Sequence, residues 1–188
     1  MKTNINKQII KNILVVALIL LMVLVIALWC VKTFVFPKKY FNVVANECVT
    51  YNIDPYLVLS IIKAESDFDG KVTSNKEAKG LMQIIDSTAE EMYEDDFMDF
   101  NSEYLYNEEL NITLGTKYLG KLIKKYNGNY YLAIIAYNAG MGNVDRWVKD
   151  GVIPNDLDDA ANNNIPYKET KNYLKKVINY YKIYRILY

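Results

Sequence analysis

Residues 12–31 carry no charged side chain and are almost all Leu, Val, Ile and Ala. Twenty helical residues rise about 30 Å, the thickness of a bilayer's hydrocarbon core. Such a run either spans a membrane or is cut away as a signal peptide. No Ala-x-Ala site follows it, and Ala27-Leu28-Trp29-Cys30 is a poor lipidation site because a bulky Trp precedes the Cys. The reading is therefore a retained signal-anchor, a transmembrane helix over residues 12–31 with residues 1–11 in the cytoplasm. Lys2, Lys7 and Lys11 precede the run and Lys32, Lys38 and Lys39 follow it, so flanking charge sets the orientation weakly. Residues 32–39, with Pro37 among them, read as a short extended linker reaching at most about 28 Å. A single domain over residues 40–188 would then lie outside the cell, close to the membrane.

The chain has no histidine. That excludes His-based zinc sites, Ser-His-Asp and Cys-His nucleophile systems and imidazole pH switching. Acid–base work near neutrality falls to a carboxylate, Lys, Tyr or Cys. Cys30 and Cys48 have no metal or redox spacing and read as unpaired small hydrophobes, so no metal and no cofactor is expected. The 22 basic residues balance 22 acidic ones, which gives no global attraction to nucleic acid. The zero balance hides a partition: ten acidic residues and no basic one lie between Asp86 and Glu109, and every charge after Glu169 is basic. The acidic run reads as a solvated face, with repulsion from anionic polymer or lipid as the functional alternative.

From Tyr40 onward the pattern is helical. Phe41, Val44, Ala45, Cys48 and Val49 recur at helical spacing. Asp54-Pro55 is a start signal, and Leu57, Val58, Ile61 and Ile62 form one apolar stripe. Glu65 falls four residues after Ile61 and three after Ile62, so it continues that stripe, an unusual place for a carboxylate. Residues 67–80 read as a loop or small hairpin. Ser87-Thr88-Ala89-Glu90 reads as a capping box. Asn107 would cap a helix through Leu110, Leu114, Tyr118, Leu122 and Tyr126, stopped near Gly128. Asn129 opens a helix over Tyr130 to Tyr137, Gly142-Asn143 precedes a short helix, and residues 152–164 form a loop rich in Asp and Asn. Pro166 introduces a last helix with Glu169 and Tyr173 on one face.

Five motifs stand in order: Glu65-Ser66 with Phe68, Gly80-Leu81-Met82-Gln83-Ile84, the Asn111 to Leu119 segment, Ala136-Tyr137-Asn138-Ala139-Gly140, and Glu169-Thr170-x-Asn172-Tyr173. Together they resemble the soluble-lytic-transglycosylase (SLT) catalytic domain, similar in fold to goose-type lysozyme, over residues 40–185. Glu77 stands where that family has a glycine, and Asp86 where it has a proline. The resemblance implies a mostly α, lysozyme-like SLT domain with a small hairpin or loop region, following the transmembrane helix. It implies a peptidoglycan lytic transglycosylase, a lyase that cleaves the β-1,4 bond between N-acetylmuramic acid and N-acetylglucosamine and leaves 1,6-anhydro ends. Glu65 would be acid and then base. Ser66 and Gln83 would orient substrate or carboxylate, Met82 would form cleft wall, and Tyr137 would place its hydroxyl near the N-acetyl group. Asn138 would hold the loop or bind sugar, and Glu169 would be a polar partner inside the cleft. Tyr173 reads as a core tyrosine. The partners implied are glycan strands of the cell wall, the membrane through the N-terminal helix, and possible cell-envelope machinery. Two alternatives stay open: a hydrolytic muramidase, and a non-catalytic glycan-binding component of an envelope-spanning machine.

Overall fold

In the computed structural model, which describes residues 2–93, 100–158 and 164–188 (side chains from residue 9), helix α1 spans Lys2–Cys30. It runs on as a π-helical turn over Val31–Val35, with Trp29 and Phe34 in edge contact at 5.9 Å. Within Ile9–Val35 the most apolar 18-residue stretch has a mean hydropathy of 3.3 and buries none of its side chains, so the helix is long and apolar enough to cross a membrane. The expected extended linker is thus helical through Val35, because Val31, Phe34 and Val35 prolong the apolar surface. The chain divides after Lys38, and the unit from Lys39 to Tyr188 is described by itself below.

Side-chain caps set three of the α-helix starts of this second unit. Helix α2 is Phe41–Tyr51, entered through a left-handed Tyr40 (φ 63°) and left through Asn52 (φ 52°). Val44 and Cys48 are buried as the spacing requires, but Val49 is 82% exposed, so the stripe is narrower than expected. Asp54 caps helix α3, Pro55–Glu65, by accepting from Tyr56 N at 2.9 Å, and Pro55 occupies the first turn, where no N–H is needed. Helix α4, Asp86–Met92, begins one residue before the expected capping box and has no side-chain cap. Asp86 is instead engaged by Lys79 Nζ at 2.9 Å and Ser102 Oγ at 2.9 Å. A 3₁₀ turn over Ser102–Tyr106 leads to α5, Glu108–Lys125, capped by Asn107, which accepts from Leu110 N at 2.9 Å. Helix α6 is Tyr130–Ala139, capped by Asn129. Helix α7 is Met141–Lys149, which takes Gly142-Asn143 into its first turn instead of leaving them ahead of it. Helix α8 is Lys168–Leu187. Residues 94–99 of the acidic run and 159–163 of the Asp/Asn-rich loop lie outside the described residues.

Leu132 to Ala136 are all buried, so α6 is apolar around its circumference and forms the centre. It packs on α5, α7 and α8; α2, α4 and the 3₁₀ turn pack on α5, and α8 also packs along α3. The expected small hairpin is reduced to two antiparallel bridges, Thr73 with Lys79 and Lys79 with Ile84. Among the described residues no longer strand forms.

The segment Gly80–Ile84 threads between these layers, and Asn111 holds it. That fully buried amide accepts from Met82 N at 2.7 Å and donates to Lys79 O and Leu105 O, each at 2.9 Å. Gly80 has φ 76°, and a Cβ there would lie 2.3 Å from Leu105 O and 2.4 Å from Asn111 Nδ2. Gly80→Ala therefore meets both backbone strain and a rigid clash. It is expected to lower the urea midpoint by an amount worth about 2–4 kcal/mol at unchanged slope. Gly142→Ala, where a Cβ would meet nothing within 4 Å, is the control and should be neutral or slightly stabilising.

Candidate active site

Helix α3 stops at Glu65 because the next residues leave helical space: Ser66 has φ −125°, Asp67 φ 52° and Phe68 φ 66°. Two successive left-handed residues with side chains are strained. They are held in place by a buried Phe68 ring and by an ion pair from Lys63 to Asp67. The break leaves the Glu65 side chain, last on the apolar stripe, on the wall of a cleft of about 700 Å³. Ser74, Gln83, Tyr118, Tyr137, Asn138 and Glu169 also line it.

Glu65 Oε1 accepts from Tyr173 Oη at 2.7 Å. Burial pushes the carboxyl up from an ordinary 4.5 to about 7. The Tyr173 hydroxyl and the Lys176 ammonium pull the other way, and the Glu169 charge adds to the rise. Because Oε1 is occupied, Oε2 is the oxygen left to carry the acid proton. The Tyr173 and Tyr137 hydroxyls are themselves held well above 10, first by burial and then by the neighbouring Glu65 charge. Both stay neutral donors.

The other expected residues divide into those on the cleft and those behind it. Tyr137 lines the cleft with its ring 5.4 Å from Tyr118, and its hydroxyl donates to Met82 O at 2.8 Å. Gln83, at φ 49°, also lines it, but its amide donates to Val72 O at 3.0 Å and Gly80 O at 2.9 Å, which holds the loop rather than the carboxylate. Asn138 lines the cleft with its Oδ1 fixed by Thr170 Oγ1 at 2.8 Å. Ser66 turns inward: its buried hydroxyl donates to Leu81 O at 2.8 Å, tying the end of α3 to the Gly80–Ile84 segment. Met82 turns inward too. Its side chain is fully buried against Gly115, where a Cβ would sit 2.5 Å from the sulfur, so it supports the cleft from behind. Glu169 lies at the rim, with its side chain 74% exposed and 3.9 Å from Lys76 Nζ. A pair so exposed adds little energy.

Tyr173 is buried as the core reading expects, and the group that satisfies its hydroxyl is Glu65; its place on one face of α8 with Glu169 is the sequence signal for that contact. Ser74 was missed and had no such signal, since its role comes from a turn: its Oγ accepts from Ala78 N at 3.1 Å and Lys76 N at 3.2 Å while the residue lines the cleft.

A half-buried carboxyl raised to about 7, on a cleft lined by Gln83 and Ile84, is the setting in which comparison with known proteins becomes informative. The family model described as the transglycosylase SLT domain matches residues 42–156. The chain belongs to that family. It is 33% identical over 151 residues to the putative soluble lytic murein transglycosylase of Haemophilus influenzae, covering 80% of this chain and 25% of the relative. It is 33% identical over 170 residues to membrane-bound lytic murein transglycosylase C of Edwardsiella ictaluri, covering 78% of this chain and 46% of the relative. Its fold is similar to that of the 70-kDa soluble lytic transglycosylase of Escherichia coli, with a TM-score of 0.73 and 30% identity over 80% of this chain and 25% of that one. A Pseudomonas aeruginosa lytic transglycosylase Slt, solved as an inactive mutant, matches with a TM-score of 0.70 and 30% identity, over 79% of this chain and 24% of that one. The chain thus spans about a quarter to just under half the length of these relatives, and within that span the SLT domain is mostly α and lysozyme-like.

Two outcomes follow for this SLT domain from the raised Glu65. Between pH 4.5 and 7 the folded protein binds more protons at Glu65 than the unfolded chain, so this group's contribution to stability falls as pH rises. Glu65→Gln removes the penalty and should stabilise the protein at pH 8 by roughly 2–4 kcal/mol, shrinking to near zero at pH 4, as read by denaturant unfolding. Tyr173→Phe deletes a hydrogen bond to the charged form, so the carboxyl ¹³C titration of Glu65 should move upward, by on the order of one unit.

Proposed function

We propose that the protein is a membrane-anchored peptidoglycan lytic transglycosylase in which Glu65 acts first as acid and then as base. The observation that carries this reading is the Glu65 carboxyl, placed on the cleft wall, bonded through Oε1 to Tyr173 and held near neutrality by burial. A group titrating at about 7 is close to half protonated at pH 7, so it can give a proton and take one back. The names of the relatives, lytic murein transglycosylases, agree.

Hydrolysis through two carboxylates needs a second acid facing the first across the scissile bond. Among the described residues lining the cleft, the other carboxylate is Glu169, exposed at the rim beside Lys76. Asp67 is engaged by Lys63, and Asp69 accepts from Lys71 N at 2.9 Å. This favours a substrate-supplied nucleophile. Glu65 Oε2 protonates the departing glycosidic oxygen, the substrate's acetamido oxygen stabilises the positive anomeric carbon, and the resulting carboxylate removes the proton of the sugar's 6-hydroxyl as that oxygen closes the anhydro ring. The attack is intramolecular, which gives it a large effective concentration over water. Tyr137 spends its hydroxyl proton on Met82 O, so toward substrate it presents a lone pair suited to an acetamido N–H.

The helix Ile9–Val35 supplies the anchor, crossing once with the SLT domain outside the cell, where the glycan is. Mass spectrometry of digested cell-wall sacculi tests the whole reading. Wild type should give anhydro-muramyl ends, and Glu65→Gln should lower the rate by about 10²–10⁴-fold. Water-derived reducing ends would instead make it a lysozyme. Equal clearing by both proteins, or by neither, would make it a glycan-binding scaffold.

A further inference from the structure

We propose that Lys176 is a positioning residue for Glu65: from α8 it caps the broken end of α3 and keeps the carboxyl able to serve as a base. The inference rests on the reading of Glu65 as acid and then base. It starts from the way α3 ends. The last four carbonyls of a helix have no intrahelical partner. Ile62 O is taken by Ser66 N at 3.0 Å. Ala64 O would ordinarily pair with the N–H four residues on, but the left-handed turn through Asp67 and Phe68 carries the backbone away. Lys176 Nζ fills that place, 2.8 Å from Ala64 O.

The position is built from two helices. Glu169, Tyr173 and Lys176 are spaced four and three residues apart, so one face of α8 presents an anion, a neutral donor and a cation in succession toward the end of α3. Tyr173 reaches the Glu65 carboxyl itself, and Lys176 reaches the carbonyl of the residue before it. The Tyr180 ring, one turn further on, lies 5.9 Å from Lys176 Nζ and 5.7 Å from Lys63 Nζ. Lys63 is turned to Asp67.

A carboxyl at the C-terminal end of a helix sits in the negative end of its dipole, and burial adds to that. Both favour the protonated acid, which serves the first half of the reaction and opposes the second. The charged and titratable groups around Glu65 are Tyr137 from α6 and Glu169, Tyr173 and Lys176 from α8, with Tyr118 from α5 and Lys76 sharing the cleft; Lys63 and Asp67, on its own chain segment, pair with each other. Of these, Lys176 is the cation that both neutralises an orphan carbonyl of α3 and favours the ionised form of Glu65. The device resembles a basic residue at a helix C-terminus, but the base comes from another helix.

The test uses the full chain in detergent micelles, carboxyl-¹³C-labelled at glutamate, with the Glu65 resonance assigned by its loss in Glu65→Gln. Lys176→Met should move the Glu65 titration upward by roughly half a unit, and the alkaline limb of kcat/KM on cell-wall glycan should move with it. Lys176→Arg, which can still cap the carbonyl with a cation, should restore both. Lys175→Met removes a neighbouring positive charge from the exposed side of α8 and should leave the titration in place. A shift in Lys176→Met no larger than that in Lys175→Met, or one that arginine does not restore, overturns the proposal. The titration is read without turnover, so it decides the role of Lys176 even if the digest shows no anhydro product.

Discussion

One buried amide holds the site together. Asn111 accepts from Met82 N and donates to Lys79 O and Leu105 O, so its hydrogen bonds fix the Gly80–Ile84 segment just before its start and at its middle and tie it to the 3₁₀ turn. That segment then offers carbonyls to two other elements: Leu81 O receives Ser66 at the end of α3, and Met82 O receives Tyr137 from α6. The wall that carries Glu65 and the wall that carries Tyr137 are thereby referenced to one strand of backbone. Every link in this network is buried or half-buried, where a donor left without its partner costs about 1–3 kcal/mol. Its members therefore cannot shift independently, and a carboxyl at the edge of the network keeps one position.

The Glu65 environment is a contest between effects of similar size. Burial is the largest and raises the proton affinity; a hydroxyl on Oε1 and an ammonium near the helix end oppose it. With burial alone the group would favour the neutral acid more strongly. With stronger opposition it would be an ordinary surface glutamate, ionised throughout. The geometry holds it between the two, and α8 supplies the opposing groups, Tyr173 and Lys176, one turn apart.

The elements were legible where local chemistry decides them. Asp54-Pro55, Asn107 and Asn129 each mark a helix start that the structure has. Glu65 was visible because the stripe through Ile61 and Ile62 leads onto it. The structure departs from local signals where long-range contacts override them. Ser87 could have capped α4, but Asp86 is held by Lys79 and Ser102, so the helix begins before the box. Met82 lies in a motif that suggested cleft wall, yet α5 opens a hole at Gly115 that takes its side chain. Ser66 lies next to the carboxylate in sequence, yet the α3 break turns its hydroxyl toward Leu81. Spacing places a residue near a site, but which way its side chain turns depends on what the other helices leave open.

The two positions that depart from the family pattern show how the loop beside the cleft keeps its shape by other means. Glu77 stands where a glycine is usual, and its φ of 59° is the left-handed conformation that a glycine adopts freely. The strain is contained because Ser74 braces the turn on both sides: its carbonyl receives Glu77 N at 3.0 Å and its hydroxyl oxygen receives Ala78 N. Asp86 stands where a proline is usual, and in place of a fixed φ it uses charge. Lys79 holds its carboxylate below the usual range, and Ser102 adds a second donor. Lys79 is also the residue at which both antiparallel bridges meet, and its carbonyl is one of the two to which Asn111 donates. The substituted ion pair is therefore built onto the same buried amide that orders the rest of the cleft.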